Sequence, residues 1–193
     1  MFPWFSFLSY ALITAATPGP NNIMSMTNAA RLGLRKGFPF QLGVLSGFTV
    51  IILLCTVFCN ALSEMLPRIK LPMMIVGAAY MLWLAFHMLR STGPTEDCHA
   101  KSGYLSGLFL QFINPKLYLY CIVSLEAYIL PYYHGQWLPL IFFALLLALF
   151  CFASNLCWAM FGSVFQIIFS KYSRITNTIM AALLIYCAVS LFF

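Results

Sequence analysis

Acidic side chains are nearly missing from this chain: it holds four Asp and Glu in 193 residues, against ten Lys and Arg. Charged residues make up 7% and hydrophobic residues 63%, with a mean hydropathy of +0.92, a balance foreign to water-soluble domains. The scarcity excludes several functions. The apolar stretches contain no Asp, no pair of carboxylates and no Gly-x-Ser-x-Gly, so an intramembrane enzyme would lack its catalytic groups. The basic residues are scattered between apolar runs and form no stripe, which argues against a nucleic-acid partner. Cys55 with Cys59, and Cys98 beside His99, have no third and fourth ligand at suitable spacing, so no metal is expected, and no cofactor either. The seven cysteines are odd in number and lie mostly inside apolar runs, which does not suit a disulfide framework. Met1-Phe2-Pro3-Trp4 lacks a basic leader, and the first apolar stretch ends in Asn and Arg, so no removable signal is expected.

What the chain does contain is hydrophobic length. A spanning helix needs roughly 20 predominantly apolar residues. Six segments meet that length or nearly so: 5–28, 37–63, 71–89, 104–130, 137–161 and 175–193. The uncharged region 136–170 exceeds one upright helix, which implies tilt or an interfacial turn near Gly162. Arg31, Arg35, Lys36, Arg90, Lys101, Lys171 and Arg174 fall on one side of a six-span path, and only Arg68 and Lys70 oppose them. Basic loops face the cytoplasm, which puts both termini on the other side. Trp4, Tyr132, Tyr133 and Trp137 near span ends fit interfacial belts.

The polar segment 91–102, a cytoplasmic loop on this path, divides one domain of residues 1–193 into half-repeats of about 1–90 and 103–193. Three spans per half is an odd number, so two related halves enter the membrane in opposite senses, the inverted-repeat plan of many secondary transporters. The expected fold is therefore an all-α membrane protein of six transmembrane helices, with the first and fourth broken.

The breaks carry the chemistry. Thr17-Pro18-Gly19-Pro20-Asn21-Asn22 interrupts the first span, and Asn114-Pro115-Lys116 the fourth. Proline removes a donor and displaces the carbonyl four residues before it, which releases the carbonyls of Thr14, Ala16 and Gln111. Such backbone survives in a membrane only where protein or a wet cavity surrounds it. A helix restarting near Asn21 and Asn22 presents amide N–H groups to an anion such as an α-carboxylate, while freed carbonyls suit an α-ammonium. The bland alternative is a proline kink repaired by neighbouring helices. Paired breaks in corresponding places favour a binding site. Gln111 and Asn114 add amides. Lys116 adds a charge whose function is either intramembrane binding or snorkelling to an interface. Ser154, Asn155 and Trp158 form a polar patch suited to interhelical bonding or to cavity lining. Tyr80, Trp83 and His87 recur at helical spacing and read as packing. Gly43 and Gly47 have the spacing of a dimer seam or of close packing within one subunit, which leaves a homodimer open.

The stretch from Tyr10 to Ile23, with Gly77-Ala78-Ala79-Tyr80, Trp83-Leu84-Ala85, Leu110-Gln111-Phe112, Asn155-Leu156-Cys157-Trp158-Ala159 and Leu183 to Val189, resembles the LysE/RhtB family of amino-acid exporters. These segments run in order through nearly the whole chain, and the first is the most specific. The resemblance implies a six-span exporter in the plasma membrane, the bacterial inner membrane, driven by the proton gradient. It implies a small neutral amino acid as substrate, such as cysteine or O-acetylserine. Many relatives carry an acidic residue directly after Pro-Gly-Pro, whereas this chain has Asn21. A cationic amino acid would lack a carboxylate partner there, so a zwitterion fits better. Glu126 and His87 are titratable but lie towards span ends, and the proton carrier has no clear candidate.

The expected substrate site is thus Thr14, Thr17, Pro18, Gly19, Pro20, Asn21, Asn22, Gln111, Asn114, Pro115, Lys116 and Asn155, working by alternating access. The expected partners are the amino acid, membrane lipid and a proton. The rival readings are a small channel or a structural membrane subunit.

Overall fold

The computed structural model describes residues 2–90, 103–164, 173–190 and 192. The segment 91–102, expected as a loop, and the stretch 165–172, with Lys101 and Lys171, lie outside the described residues. Among those described, every regular element is helical. In order they are α1 (Trp4–Ala16), α2 (Pro20–Val57), α3 (Cys59–Arg90), α4 (Tyr104–Ile113), α5 (Pro115–Val123), a π-helical segment (Ser124–Ile129), α6 (Leu130–Tyr133), α7 (Trp137–Val164) and α8 (Ser173–Ser190). By length and composition, α2 and α7 can each cross a membrane, and Tyr104–Ile113 with Pro115–Tyr133, bent by 65°, can form a third crossing. Helices dominate for a simple reason: an apolar solvent gives the backbone no partner, and a helix bonds its own.

Helix α2 counts 38 residues but is not one rod. Gly33 takes φ 78° and ψ 162°, a conformation that side-chain-bearing residues resist, and the chain doubles back there. Ser25 Oγ lies 3.2 Å from Gln41 Oε1, although sixteen residues of straight helix would separate them by about 24 Å. A Cβ placed on Gly37 would lie 3.6 Å from the backbone of Asn28 and Ala29. Residues 20–32 and 34–57 are therefore two antiparallel arms. A second positive-φ glycine, Gly135 at 76°, precedes α7.

Two span limits differ from expectation. The second expected span, 37–63, stops at Val57, where Phe58 (φ −111°, ψ 24°) bends the chain. The residues 64–70, expected as a connection, are helical within α3. Gly162 makes no turn; it lies inside α7, which continues to Val164. There it meets the first arm of α2, and any Cβ at 162 would collide with the Met26 carbonyl.

The core is two apolar clusters. One gathers Phe7 and Ala11 of α1, Phe48 and Ile52 of the second arm, Leu117 to Leu125, and Phe143 and Leu147 of α7. The other gathers Ile23 and Met26 of the first arm, Phe40 and Val44, Met81 of α3, Leu110 of α4 and Leu184 of α8. Near the N-terminus Phe2 packs its ring on Trp4 (4.8 Å), Phe143 (4.9 Å) and Tyr132 (5.5 Å), so the expected belt residues are also locked together.

Glycines let the second arm and α4 nearly touch. A Cβ on Gly43 would strike the Tyr104 carbonyl, one on Gly107 the Phe40 carbonyl, and one on Gly47 would sit 2.7 Å from Gln111 Cγ. Gly43 and Gly47 thus serve packing within the subunit, where small residues let backbones approach.

Candidate functional site

Each break restarts a helix on a proline. After Ala16 the chain leaves helical geometry at Thr17 (φ −57°, ψ 136°), extends through Gly19 (φ −161°, ψ 173°) and begins α2 at Pro20. Asn114 (φ −85°, ψ 100°) ends α4 and opens α5, whose first residue is Pro115. Proline is well placed at a first helical position, because its missing N–H would have no helical partner there anyway. The Asn114 side chain caps the new helix by accepting from the Lys116 backbone N–H at 3.2 Å.

The chain passes from the Phe7–Ala11 cluster to the Ile23–Met26 cluster at the first break. At the second it passes the opposite way, from Leu110 to Leu117. The two breaks therefore cross at the junction of the two clusters, running in opposite directions.

Polar groups link them there. Asn21 and Gln111 exchange side-chain bonds, Nδ2 to Oε1 at 2.7 Å and Nε2 to Oδ1 at 3.2 Å, and Asn114 Nδ2 donates to Asn21 Oδ1 at 3.3 Å. Gln111 Nε2 also donates to the Gly107 carbonyl at 2.9 Å. Lys116 Nζ donates to the Thr17 carbonyl at 2.7 Å. Its ammonium is thus turned to the opposite break. Its stem runs over Gly19, where an added Cβ would lie 3.2 Å from both Cδ and Nζ.

Three carbonyls at the first break have side-chain donors. Ala15 accepts from Asn22 Nδ2 (3.0 Å) and Ser154 Oγ (2.8 Å), Ala16 from Trp158 Nε1 (3.2 Å), and Thr17 from Asn22 Nδ2 (2.9 Å) as well as Lys116. The Ala16 carbonyl, expected to face a substrate ammonium, is thus engaged by protein. A desolvated carbonyl without a donor costs free energy, and α2, α5 and α7 supply the donors.

A cavity of about 380 Å³, its mouth included, opens at the crossing. Of the expected set, Thr14, Gly19, Pro20, Asn21, Asn22, Asn114, Lys116 and Asn155 line it. The remaining four do not. Gln111 is fully buried behind Asn21, Pro115 borders a smaller cavity with Tyr80 and Met81, and Thr17 and Pro18 are exposed. Asn155 is held by its own bond to the Cys151 carbonyl (2.8 Å) and by Ser25 Oγ at 3.1 Å. Ala15, Phe48, Leu117, Tyr120 and Cys151 complete the wall and were not anticipated. Neither Glu126 nor His87 lines it.

The wall is chemically mixed: amides and one ammonium line it together with Phe48, Leu117, Tyr120 and Cys151. Lys116 is the single charged residue among those lining the cavity.

The family model described as "LysE type translocator" matches residues 12–193. A cysteine/O-acetylserine efflux protein of Klebsiella pneumoniae is 41% identical over 186 residues, covering 95% of this chain and 94% of that protein. Proteins of the same description from Salmonella typhimurium and Escherichia coli K12 are 40% and 35% identical over 190 residues, covering 97% of this chain and 96% of each relative. No solved structure matches. With helices of membrane-crossing length and these matches over nearly its whole length, the chain is a transporter and not an enzyme, and it belongs to the LysE-type translocator family.

Proposed function

We propose that this protein exports small neutral amino acids, of the cysteine and O-acetylserine kind, across the bacterial inner membrane. The observation that carries the proposal is the crossing of two interrupted helices at a cavity lined by amides and a single ammonium. Lys116 offers the charge for an α-carboxylate, with the Asn21 and Asn22 amides at the first turn of α2 beside it. The side-chain oxygens of Asn114 and Asn155 each accept one bond from the protein and have a second lone pair to offer an α-ammonium. A small cavity of this kind suits a solute of few atoms.

Transport follows from the symmetry of the breaks. The α1 helix has 13 residues, about 20 Å, too short to cross a hydrocarbon core alone. Together with the first arm of α2 it makes one broken span, and α4 with α5 to α6 makes another of opposite direction. A single domain of six spans in two inverted halves accounts for both, and also for the pairing of α3 with α8 and of α2 with α7. Alternating access is then a rocking of one half against the other about the crossing. The proton is the coupling ion in this scheme, and the termini face away from the cytoplasm.

Purified protein in proteoliposomes loaded with radiolabelled O-acetylserine tests the proposal. Saturable efflux, accelerated by a pH difference and competed by cysteine, is expected. Flux that neither saturates nor responds to competitors would make the protein a channel, and no flux would make it a structural subunit.

A further inference from the structure

Tyr120 carries a hydroxyl that the fold leaves alone. The residue is 3% exposed and its oxygen has no hydrogen-bond partner among the described residues. Buried polar groups are almost always bonded, so an orphan requires a reason. The ring itself is tightly held, stacked on Tyr10 at 6.1 Å and tilted against Phe48 at 5.9 Å. Tyr120 is at the same time one of the residues that line the cavity, as Cys151 is.

Tyr120 and Lys116 are four residues apart on α5, so they share one face of the helix, displaced by about 6 Å along its axis. An α-amino acid whose carboxylate meets Lys116 extends its side chain toward Tyr120. We propose that the Tyr120 hydroxyl is a specificity-determining group that hydrogen-bonds a polar atom in the substrate's short side chain, an ester carbonyl or a thiol. This rests on the exporter reading above. The consequence is discrimination against aliphatic side chains of the same shape. Such a solute would leave the hydroxyl orphaned, while one with a matching polar atom satisfies it.

Homoleucine (2-amino-5-methylhexanoate) and 2-aminobutyrate are the controls, because they approximate O-acetylserine and cysteine in shape but carry carbon in place of the ester oxygens and the sulfur. Counterflow in proteoliposomes, competed with each pair, reads the preference. The unsubstituted protein should favour the polar member, and Tyr120→Phe should shrink that preference about tenfold, the size of one hydrogen bond, by weakening the polar member alone. The detergent-solubilised variant should unfold at the same temperature or higher, since the lost oxygen had no protein partner. An unchanged preference, an equal loss for both members, or a lowered unfolding temperature would overturn the assignment. The last result would mean that a trapped water bonds the hydroxyl to the fold. Should the unsubstituted protein carry none of the four solutes, the exporter reading itself would fall. That outcome is distinct from transport with an unaltered preference in Tyr120→Phe.

Discussion

The ammonium of Lys116 donates to the carbonyl of Thr17 across 2.7 Å, a bond that, beside those of Asn21 with Gln111 and Asn114, joins two helix breaks far apart in the chain, its own partners being 99 residues apart. A charged donor is thereby held at the crossing by a group that a substrate carboxylate can replace. Competition between carbonyl and carboxylate for Lys116 is the physical link proposed between binding and movement.

Lys116→Met should therefore slow efflux by tenfold or more, since a hydrogen bond to a charged group contributes about 1.5–3 kcal/mol. Stability should not suffer, because a lysine held in the membrane costs about 2.5–3.5 kcal/mol on insertion scales and methionine does not. Initial efflux rates and thermal unfolding, measured on the same preparation, separate the two effects. A variant that unfolds earlier and transports normally would make Lys116 a purely structural link.

Asn22 should behave in the opposite way. Its Nδ2 serves the carbonyls of both Ala15 and Thr17, and the residue is buried. In Asn22→Leu, Ala15 retains Ser154 and Thr17 retains Lys116, but each loses a donor. A stability loss of about 1–3 kcal/mol is expected, visible as earlier unfolding in detergent.

The glycine contact between α2 and α4 sets the position of Gln111 and hence of Asn21. Gly43→Val or Gly107→Val pushes a side chain into carbonyl oxygens of the facing helix. Overpacking of this kind costs about 1–3 kcal/mol, and unfolding temperatures should fall for both. Gly103→Val, at a position with no atoms within 4 Å of an added Cβ, should leave them unchanged.

Cys151 is half-buried and lines the cavity, so a small methanethiosulfonate reagent should reach it. In a variant keeping Cys151 as its only cysteine, O-acetylserine should slow the labelling. Labelling rates followed by mass spectrometry check this. Equal rates with and without the solute would place the substrate elsewhere.

Much of this site was legible because proline acts locally. Pro20 and Pro115 each open a helix where a donor is missing, and the neighbouring Asn21, Asn22, Asn114 and Lys116 are polar in an oily setting, so their exceptional character is visible one residue at a time. Asn155 could be noticed for the same reason. The carbonyl partners were not legible: nothing local tells that Trp158 and Ser154 reach back 142 and 139 residues to Ala16 and Ala15. Phe48, Leu117, Tyr120 and Cys151 escaped for a different reason. In an apolar run, a side chain facing lipid and one facing a cavity obey the same composition, and only the packing of distant helices separates them. The Gly33 reversal was legible as a basic loop between spans. Its tightness, with Gly37 set against Asn28 and Ala29, was not.

The measurement closest to the central proposal is efflux by the double variant Asn21→Ala, Asn114→Ala, which removes the amides joining the two breaks and leaves Lys116 and the Asn22 caps in place. Initial rates of labelled O-acetylserine efflux from proteoliposomes should fall at least about tenfold, for two or more hydrogen bonds lost, while the protein still purifies as a folded species. Efflux at the unsubstituted rate would contradict a substrate site at the crossing of the broken helices.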